Sequence, residues 1–273
     1  MTVSGITGST GFIGREIIKN KLGKFKRFKG NLKKKNDVYK WIKENKFDTL
    51  FHLASLVSVK EADKNYLEAK NINFIGTKHI IDAIIKFNPK LKWFFFTSSA
   101  HVYKIPRKNK LITENSKIKP FSKYGKTKLL AEKYIIKKLS QKKIPYCIVR
   151  IFNIADKKQS KTFFYQSAIK KIKKSKLREV KFENIDHYRD FINLKYLIKI
   201  IKKIYKKKIT GIYNLGSGKK THLINMIELL CKKYTKKLDL IKNNNRTYLI
   251  ANISKLKKEL SLSKIDFDIL KNL

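Results

Sequence analysis

Acidic residues, arginine, cysteine and proline are all scarce in this chain, and each scarcity narrows what it can be. Asp and Glu number 20 of 273 residues against 66 Lys and Arg, giving a formal net charge of +46. Of the basic residues, seven are Arg and 59 are Lys. Base readout and phosphate clamping draw on the planar guanidinium fork, so this balance argues against a dedicated nucleic-acid binder. The lysines run through every segment beside many Ile, Asn and Phe, the composition of an AT-rich coding sequence, and read as a solvated surface. Such a surface still attracts an anionic small molecule. The two cysteines, Cys147 and Cys231, lie far apart in no CxxC pair. A disulfide framework and a metal site are therefore not expected, and a reducing compartment is. No apolar run approaches the roughly 18 residues of a membrane span. Gly5, Gly8, Gly11 and Gly14 interrupt the N-terminal region where a signal peptide needs continuous apolar residues, so a cytoplasmic location is expected. With four prolines and no internal repeat, no linker announces a domain boundary.

What is present is a substantial core: 42% of residues are hydrophobic and 12% aromatic. The pattern predicts a strand over Thr2–Thr7, a helix from Gly14 to Leu22 closed by Gly23, and an extended piece over Phe25–Leu32. A helix capped by Asp37 should run to Asn45, followed by a strand over Asp48–Ala54 and a helix over Tyr66–Phe87. Trp93–Ser98 is dense in aromatics, as expected of a strand covered on both faces. A helix over Ser122–Leu139 and a strand over Tyr146–Phe152 complete an alternation that predicts an α/β fold, a doubly wound parallel sheet of Rossmann type. Beyond about residue 155 the pattern loosens. Helices are predicted over Phe163–Lys174, Leu194–Tyr205 and Leu223–Lys233, with a strand over Gly211–Leu215. This divides the chain into a dinucleotide-binding domain over 1–155 and a smaller, mixed substrate-binding lobe over 156–273. Parts of the lobe near 185–210 are expected to pack back on the first domain.

Three features carry chemistry. Gly8-x-x-Gly11-Phe12-Ile13-Gly14 falls between a strand and a helix, where glycines let the backbone approach a pyrophosphate and the helix start offers free N–H groups. The acidic residue that usually reads an adenosine ribose about 20 residues further on is missing. Lys24, Lys26, Arg27 and Lys29 occupy that stretch, so the cofactor is NAD or NADP with the basic residues favouring NADP. Second, Tyr124 and Lys128 stand at i and i+4 on one helix face, where an ammonium can stabilise a phenolate. Tyr39 and Lys43 show the same spacing, so spacing alone is weak. Third, Phe96-Thr97-Ser98-Ser99-Ala100-His101-Val102-Tyr103 closes a central strand, where ligands of such sheets bind. The Tyr-Lys pair follows it, 110 residues after Gly14.

On these residues the chain resembles the extended short-chain dehydrogenases/reductases, the family of nucleotide-sugar epimerases, dehydratases and reductases. The resemblance runs from Thr2 to about Gly218. It implies that Gly8, Gly11, Phe12, Ile13 and Gly14 hold the dinucleotide. Asn31 and Leu32 lie in Gly30-Asn31-Leu32, which stands for the family's Gly-Asp-Leu at the adenine. Leu53 and Ala54, in His52-Leu53-Ala54-Ser55, line the strand end beside the cofactor, and Asn73 resembles a structural asparagine. Ser99, Tyr124 and Lys128 match the catalytic Ser-Tyr-Lys set, with Tyr124 and Lys128 also touching the cofactor and Ser99 the substrate. Asn153 of Arg150-Ile151-Phe152-Asn153 and Arg189 of Arg189-Asp190-Phe191-Ile192 are the implied substrate contacts, Arg189 on the diphosphate. Thr113-Glu114, Pro120 and Asn214–Gly218 also match family positions. Departures are Asn31, Lys104 in place of a glycine, and one strand between Gly14 and Asp37 where the family has two. Ala100 and His101 stand where the 4,6-dehydratase branch carries Asp-Glu, so dehydration is not expected; His101 reads as a packed or solvent-facing side chain. The implied protein is an NAD(P)-dependent epimerase or ketoreductase for a nucleotide-activated sugar, and a homodimer with the Tyr124 helix at its interface. The alternative is a non-catalytic member that uses the fold to bind nucleotide or RNA.

Overall fold

The structure is a computed structural model that describes residues 3–241, 245–262 and 269. The chain divides into two units, one of residues 1–104, 117–151 and 200–213, the other of 105–116, 152–199 and 214–273. Where the sequence points to one boundary near 155, the second unit takes the excursion 105–116, and 200–213 belongs to the first. Partners distant in the sequence decide both assignments. Within the second unit Ile112 bridges to Ala251, and within the first Trp93 Nε1 donates to Ile209 O at 2.9 Å.

In the first unit the strands are β1 (Ser4–Thr7), β2 (Phe25–Arg27), β3 (Thr49–His52), β4 (Trp93–Ser99) and β5 (Tyr146–Ile151). They join Gly211–Leu215 in a six-stranded sheet ordered Gly211–Leu215, β5, β4, β3, β1, β2, and the pairs from β5 to β2 are parallel. The expected Rossmann-type sheet is therefore present. Every residue of β3 and β4 is buried. Trp93, Phe94, Phe95 and Phe96 face alternately into both layers, and each fully buried aromatic contributes about 2–3 kcal/mol. Phe51, Trp93, Phe95 and Tyr205 form one aromatic cluster, edge-to-face where Phe51 meets Trp93 and Tyr205 and tilted or stacked elsewhere.

The helices are α1 (Phe12–Lys19), α2 (Lys35–Glu44), α3 (Val59–Lys64), α4 (Tyr66–Lys70), α5 (Gly76–Phe87) and α6 (Lys123–Gln141). Four local expectations need correction. The first helix ends at Asn20, with Lys21 rather than Gly23 taking the left-handed turn at φ 47°. Asp37 sits in the first turn of α2, and Lys34 occupies the cap. The helix α3, capped by Ser58 accepting from the Glu61 N–H at 3.2 Å, has no counterpart in the prediction. The helix expected over Tyr66–Phe87 is α4 and α5 joined by a wider turn over Asn71–Ile75. Asn73 lies in that turn, and its amide explains the widening. It accepts from Leu56 N (2.8 Å) and Ser55 Oγ (2.9 Å), and donates to Leu56 O (3.0 Å) and Thr127 Oγ1 (2.9 Å).

The second unit contains helices Phe164–Lys174, Leu223–Lys233 and Ser254–Glu259. It also has a parallel pair of Glu179–Glu183 with Lys237–Ile241 and a three-stranded sheet of Thr221–His222, Tyr188–Arg189 and Tyr248–Leu249. The helix Leu194–Lys207 crosses from this unit into the first. Asp190, fully buried, ties the unit together by accepting from Ser217 N (2.7 Å), Ser217 Oγ (2.6 Å), Gly218 N (2.9 Å) and Ala251 N (3.2 Å).

Candidate active site

The glycine loop is a backbone cradle. Gly8 takes φ +70°, and a Cβ there would come within 2.6 Å of the Ala54 nitrogen at the end of β3. A Cβ on Gly14 would press into the Gly8 carbonyl and stand 2.9 Å from Ser9 Cα. Both glycines are required for packing, the first also for its conformation. Gly11 is exposed, caps α1 without any side-chain bond, and no acidic residue occupies the first turn. The N–H groups opening α1, at Phe12 and Ile13, are thus offered to an anion, which is the fit a pyrophosphate needs.

Beneath the loop a buried polar chain fixes the end of β3. Thr77 Oγ1 donates to Asn73 O at 2.6 Å, so it accepts from His52 Nε2 at 2.8 Å. That leaves His52 Nδ1 to accept from Thr7 Oγ1 at 2.7 Å, whose oxygen also accepts from Ala54 N at 3.3 Å. Burial pushes the His52 pKa down to about 3, so the ring is neutral and holds Leu53 and Ala54 against the loop.

A recess of about 510 Å³ is lined by Lys29, Gly30, Asn31, Leu32, Lys33, Asp37 and Ile72. Asn31 and Leu32 thus meet in one place. Asn31 Oδ1 accepts from Lys33 N at 2.9 Å, and the Asn31 N–H donates to Asp37 Oδ2 at 2.8 Å. Asp37 is a residue of this recess that the helix-cap reading passes over. Its signal is its position one turn into the helix that follows Gly-Asn-Leu.

The end of β4 meets one face of α6. Ser99 lies beside the phenol of Tyr124 and favours its ionised form. Lys128 Nζ donates to Thr97 O at 2.7 Å and lies 4.6 Å from the Phe96 ring centroid. Ser99 and Tyr124 therefore meet at the end of β4, Lys128 follows one turn along α6, and all three are buried. The helix seats closely because Gly125 has no Cβ; one there would overlap the His101 carbonyl. Burial raises the Tyr124 pKa above its ordinary value, and Ser99 offsets only part of this. The lowered phenol expected of a Tyr-Lys pair needs the positive nicotinamide as well as the ammonium, and these residues by themselves hold the phenol neutral. Burial pulls Lys128 down to about 7, with Glu132 opposing the shift. His101 is half-buried, its Nδ1 3.1 Å from Ser122 Oγ, and its ring stands edge-on to Tyr124 with centroids 5.7 Å apart. It is packed, as expected, against the tyrosine.

The other two expected contacts lie in the second unit. Asn153 Nδ2 donates to Asp190 O at 3.0 Å. Arg189 is half-buried and donates through Nη1 to Tyr188 O (2.9 Å), Thr247 O (3.2 Å) and Thr247 Oγ1 (3.1 Å). Among the described residues no carboxylate pairs with it. Burial lowers its pKa to about 10, so it remains a cation held by neutral acceptors. Among these residues, too, no group of His, Cys, Asp and Glu is arranged to hold a metal ion, and no helix is long and apolar enough to cross a membrane.

The family profile described as GDP-mannose 4,6 dehydratase matches residues 14–266. The bifunctional UDP-glucose 4-epimerase and UDP-xylose 4-epimerase 1 of Pisum sativum is 27% identical over 276 residues, covering 90% of this chain and 77% of that protein. Among solved structures, RMD from Pseudomonas aeruginosa complexed with NADPH superposes with a TM-score of 0.85 at 20% identity, over 99% of this chain and 96% of that one. The UDP-glucose 4-epimerase of Thermotoga maritima with UDP-glucose gives 0.82 at 17% identity, over 98% and 95%.

Proposed function

The chain belongs to the GDP-mannose 4,6-dehydratase family of extended short-chain dehydrogenases/reductases, an enzyme family, and from that premise we propose that it is an NAD(P)-dependent epimerase or ketoreductase acting on a nucleotide-activated sugar. The observation that carries the reading is the meeting of Ser99, Tyr124 and Lys128 at the end of β4, in the same unit as the Gly8–Gly14 cradle.

Gly8, Gly11 and Gly14 with the Phe12 and Ile13 N–H groups hold the dinucleotide's pyrophosphate. Asn31 and Leu32 take its adenine in the recess, and Leu53 and Ala54 flank its passage along the β3 end. Lys29 and Lys33 at that recess favour the extra phosphate of NADP, although Asp37 stands with them. Bound there, the nicotinamide ring supplies the hydride chemistry. Tyr124 enters as a neutral phenol, ready to give its proton to a sugar ketone oxygen that Ser99 orients. In the reverse sense Tyr124 takes the proton of the sugar hydroxyl. That step needs positive charge brought to the phenol, since burial alone disfavours the phenolate. Lys128 anchors the nicotinamide ribose. Asn153 contacts the sugar nucleotide, and Arg189, a half-buried cation with no carboxylate partner among the described residues, takes the diphosphate. Ala100 and His101 provide no carboxylate pair, which favours epimerisation or reduction over dehydration. We extend the proposal to a homodimer built on the α6 face, acting in the cytoplasm.

The test is to purify the protein without added cofactor, denature it and identify released dinucleotide by mass spectrometry. Near-stoichiometric NAD supports a recycled cofactor and an epimerase, with UDP-glucose the first substrate to try. An empty site that then takes up NADPH supports a ketoreductase. A protein that neither carries nor binds NADH or NADPH overturns the reading.

A further inference from the structure

One face of α6 carries three side chains at i, i+4 and i+8: Tyr124, Lys128 and Glu132. Three consecutive residues at the end of β4 receive them. The Ser99 hydroxyl lies beside the Tyr124 phenol, the Thr97 carbonyl accepts from Lys128 Nζ, and the Ser98 hydroxyl donates to Glu132. The β4–β5 register sets Ser98 opposite Arg150, which brings the guanidinium to the same carboxylate. Arg150 Nη2 lies 2.7 Å from Glu132 Oε2 and Nε 3.1 Å from Oε1, while Nη1 donates to Tyr103 Oη at 2.8 Å. The side chains of Arg150 and Glu132 are 5% and 1% exposed.

This part of the core therefore buries two cations, Lys128 and Arg150, with one carboxylate between them. The titratable groups around Lys128 are Tyr124 and Glu132 on its own helix, neutral His52 on β3, and, across Glu132, Arg150 on β5 with the Tyr103 phenol beyond it. Glu132 is the one anion in that set. The carboxylate that bridges Arg150 sits a single helical turn from Lys128.

We propose that Glu132 is a positioning residue of the site, whose carboxylate keeps the Lys128 ammonium charged and seated on Thr97 for the hydride transfer proposed above. The inference rests on that functional reading. Burial works against the Lys128 charge and Glu132 works for it, so the ammonium titrates close to neutrality with little reserve. Glu132 reaches no reacting atom; it acts through Lys128.

The experiment follows the pH dependence of NADH and NADPH affinity, by nicotinamide fluorescence, and of turnover, in the full chain. Three proteins are compared with wild type: Glu132→Gln, Glu132→Asp, and Glu132→Gln with Arg150→Met. The double variant removes both buried charges, so a stranded guanidinium does not confound it. Wild type should lose affinity and turnover as pH rises through about 7. In the folded double variant that break should move acidward by about one unit, a roughly fivefold loss of charged Lys128 at neutral pH. Glu132→Asp, which keeps the charge, should hold the break near its wild-type position. A folded double variant with an unmoved break would show that Glu132 serves Arg150 alone and would overturn the proposal. Should the double variant not fold, a break displaced equally in the Asp and Gln single variants would overturn it, and a break displaced in Gln alone would support it. A wild type that binds neither dinucleotide at any pH removes the functional reading and this proposal with it. Normal wild-type binding with unmoved variants removes this proposal only.

Discussion

Replacing Gly14 or Gly11 by alanine should separate the two tasks of the glycine loop. At Gly14 the new methyl overlaps the Gly8 carbonyl and stands 2.9 Å from Gly8 C and Ser9 Cα, where ordinary contact begins at 3.4 Å. Backbone on both sides must move by about half an ångström or more. Such overpacking costs about 1–3 kcal/mol. In a chain of this size that corresponds to a fall in Tm of roughly 2–12 °C. Because the displaced backbone carries the N–H groups at the start of α1, dinucleotide affinity should fall at least about tenfold, a loss of about 1.4 kcal/mol. At Gly11 the methyl meets only Gly8 O at 3.2 Å, the residue is exposed, and its φ of −72° suits alanine. Stability should stay within about 0.5 kcal/mol of wild type. Affinity should still fall, since a methyl now stands where backbone approaches the pyrophosphate. Thermal melts and NADPH titrations of both variants provide the comparison. A Gly14→Ala protein that melts and binds like wild type would refute the packed cradle. A Gly11→Ala protein that binds undiminished would refute the assignment of the loop to the dinucleotide.

Asn73→Ala strips four hydrogen bonds from the turn joining α4 to α5 and strands buried groups at Leu56 and Thr127. It should cost about 3 kcal/mol, read as a lowered urea midpoint, and an unchanged midpoint would contradict the role given to the amide. His52 titrates near 6.5 when unfolded and about 3 when folded, so the folded state binds fewer protons between those values. Stability from this group is present above pH 6.5 and is lost as pH falls toward 3, by about 5 kcal/mol at most. Imidazole 15N shifts should report the neutral Nε2–H tautomer at pH 5, and a ring titrating near 6.5 would contradict the Thr7–His52–Thr77 chain. Arg189→Met should weaken binding of a nucleoside diphosphate about tenfold or more by calorimetry while leaving NADPH affinity within about twofold. Equal losses for both ligands would contradict its assignment to the substrate.

Much of the first unit was legible because its signals are local. The aromatic run of β4, the strand–glycine–helix junction and the helical pattern of α6 each state their structure within a few residues. The three glycines, Ser99, Tyr124 and Lys128 could be named because their spacing is tied to element ends. What escaped depends on partners far along the chain. The turn at Asn71–Ile75 widens because Asn73 bonds to the Ser55–Leu56 segment, which no helical periodicity encodes. Asp37 reads as a cap until the Gly30–Asn31 turn is folded back onto it. Helix geometry puts Tyr124 and Lys128 on one face, but not the Thr97 carbonyl that takes the ammonium. The excursion 105–116 carries no local signal either: it joins the second unit through Ile112 and Ala251, 139 positions apart.

The central claim is that this chain moves hydride between a nicotinamide dinucleotide and a sugar carbon through Tyr124. The most direct measurement follows deuterium by mass spectrometry, in wild type and Tyr124→Phe, using sugar nucleotides labelled at the carbinol carbon and NADPH labelled at the transferring position. The account predicts one of two wild-type results: an inverted sugar that keeps its label, or a reduced sugar that gains one from the dinucleotide. Either should be lost in Tyr124→Phe while dinucleotide binding persists. Label transfer that survives intact in Tyr124→Phe, or tight dinucleotide binding with no transfer to or from any sugar nucleotide, would contradict it.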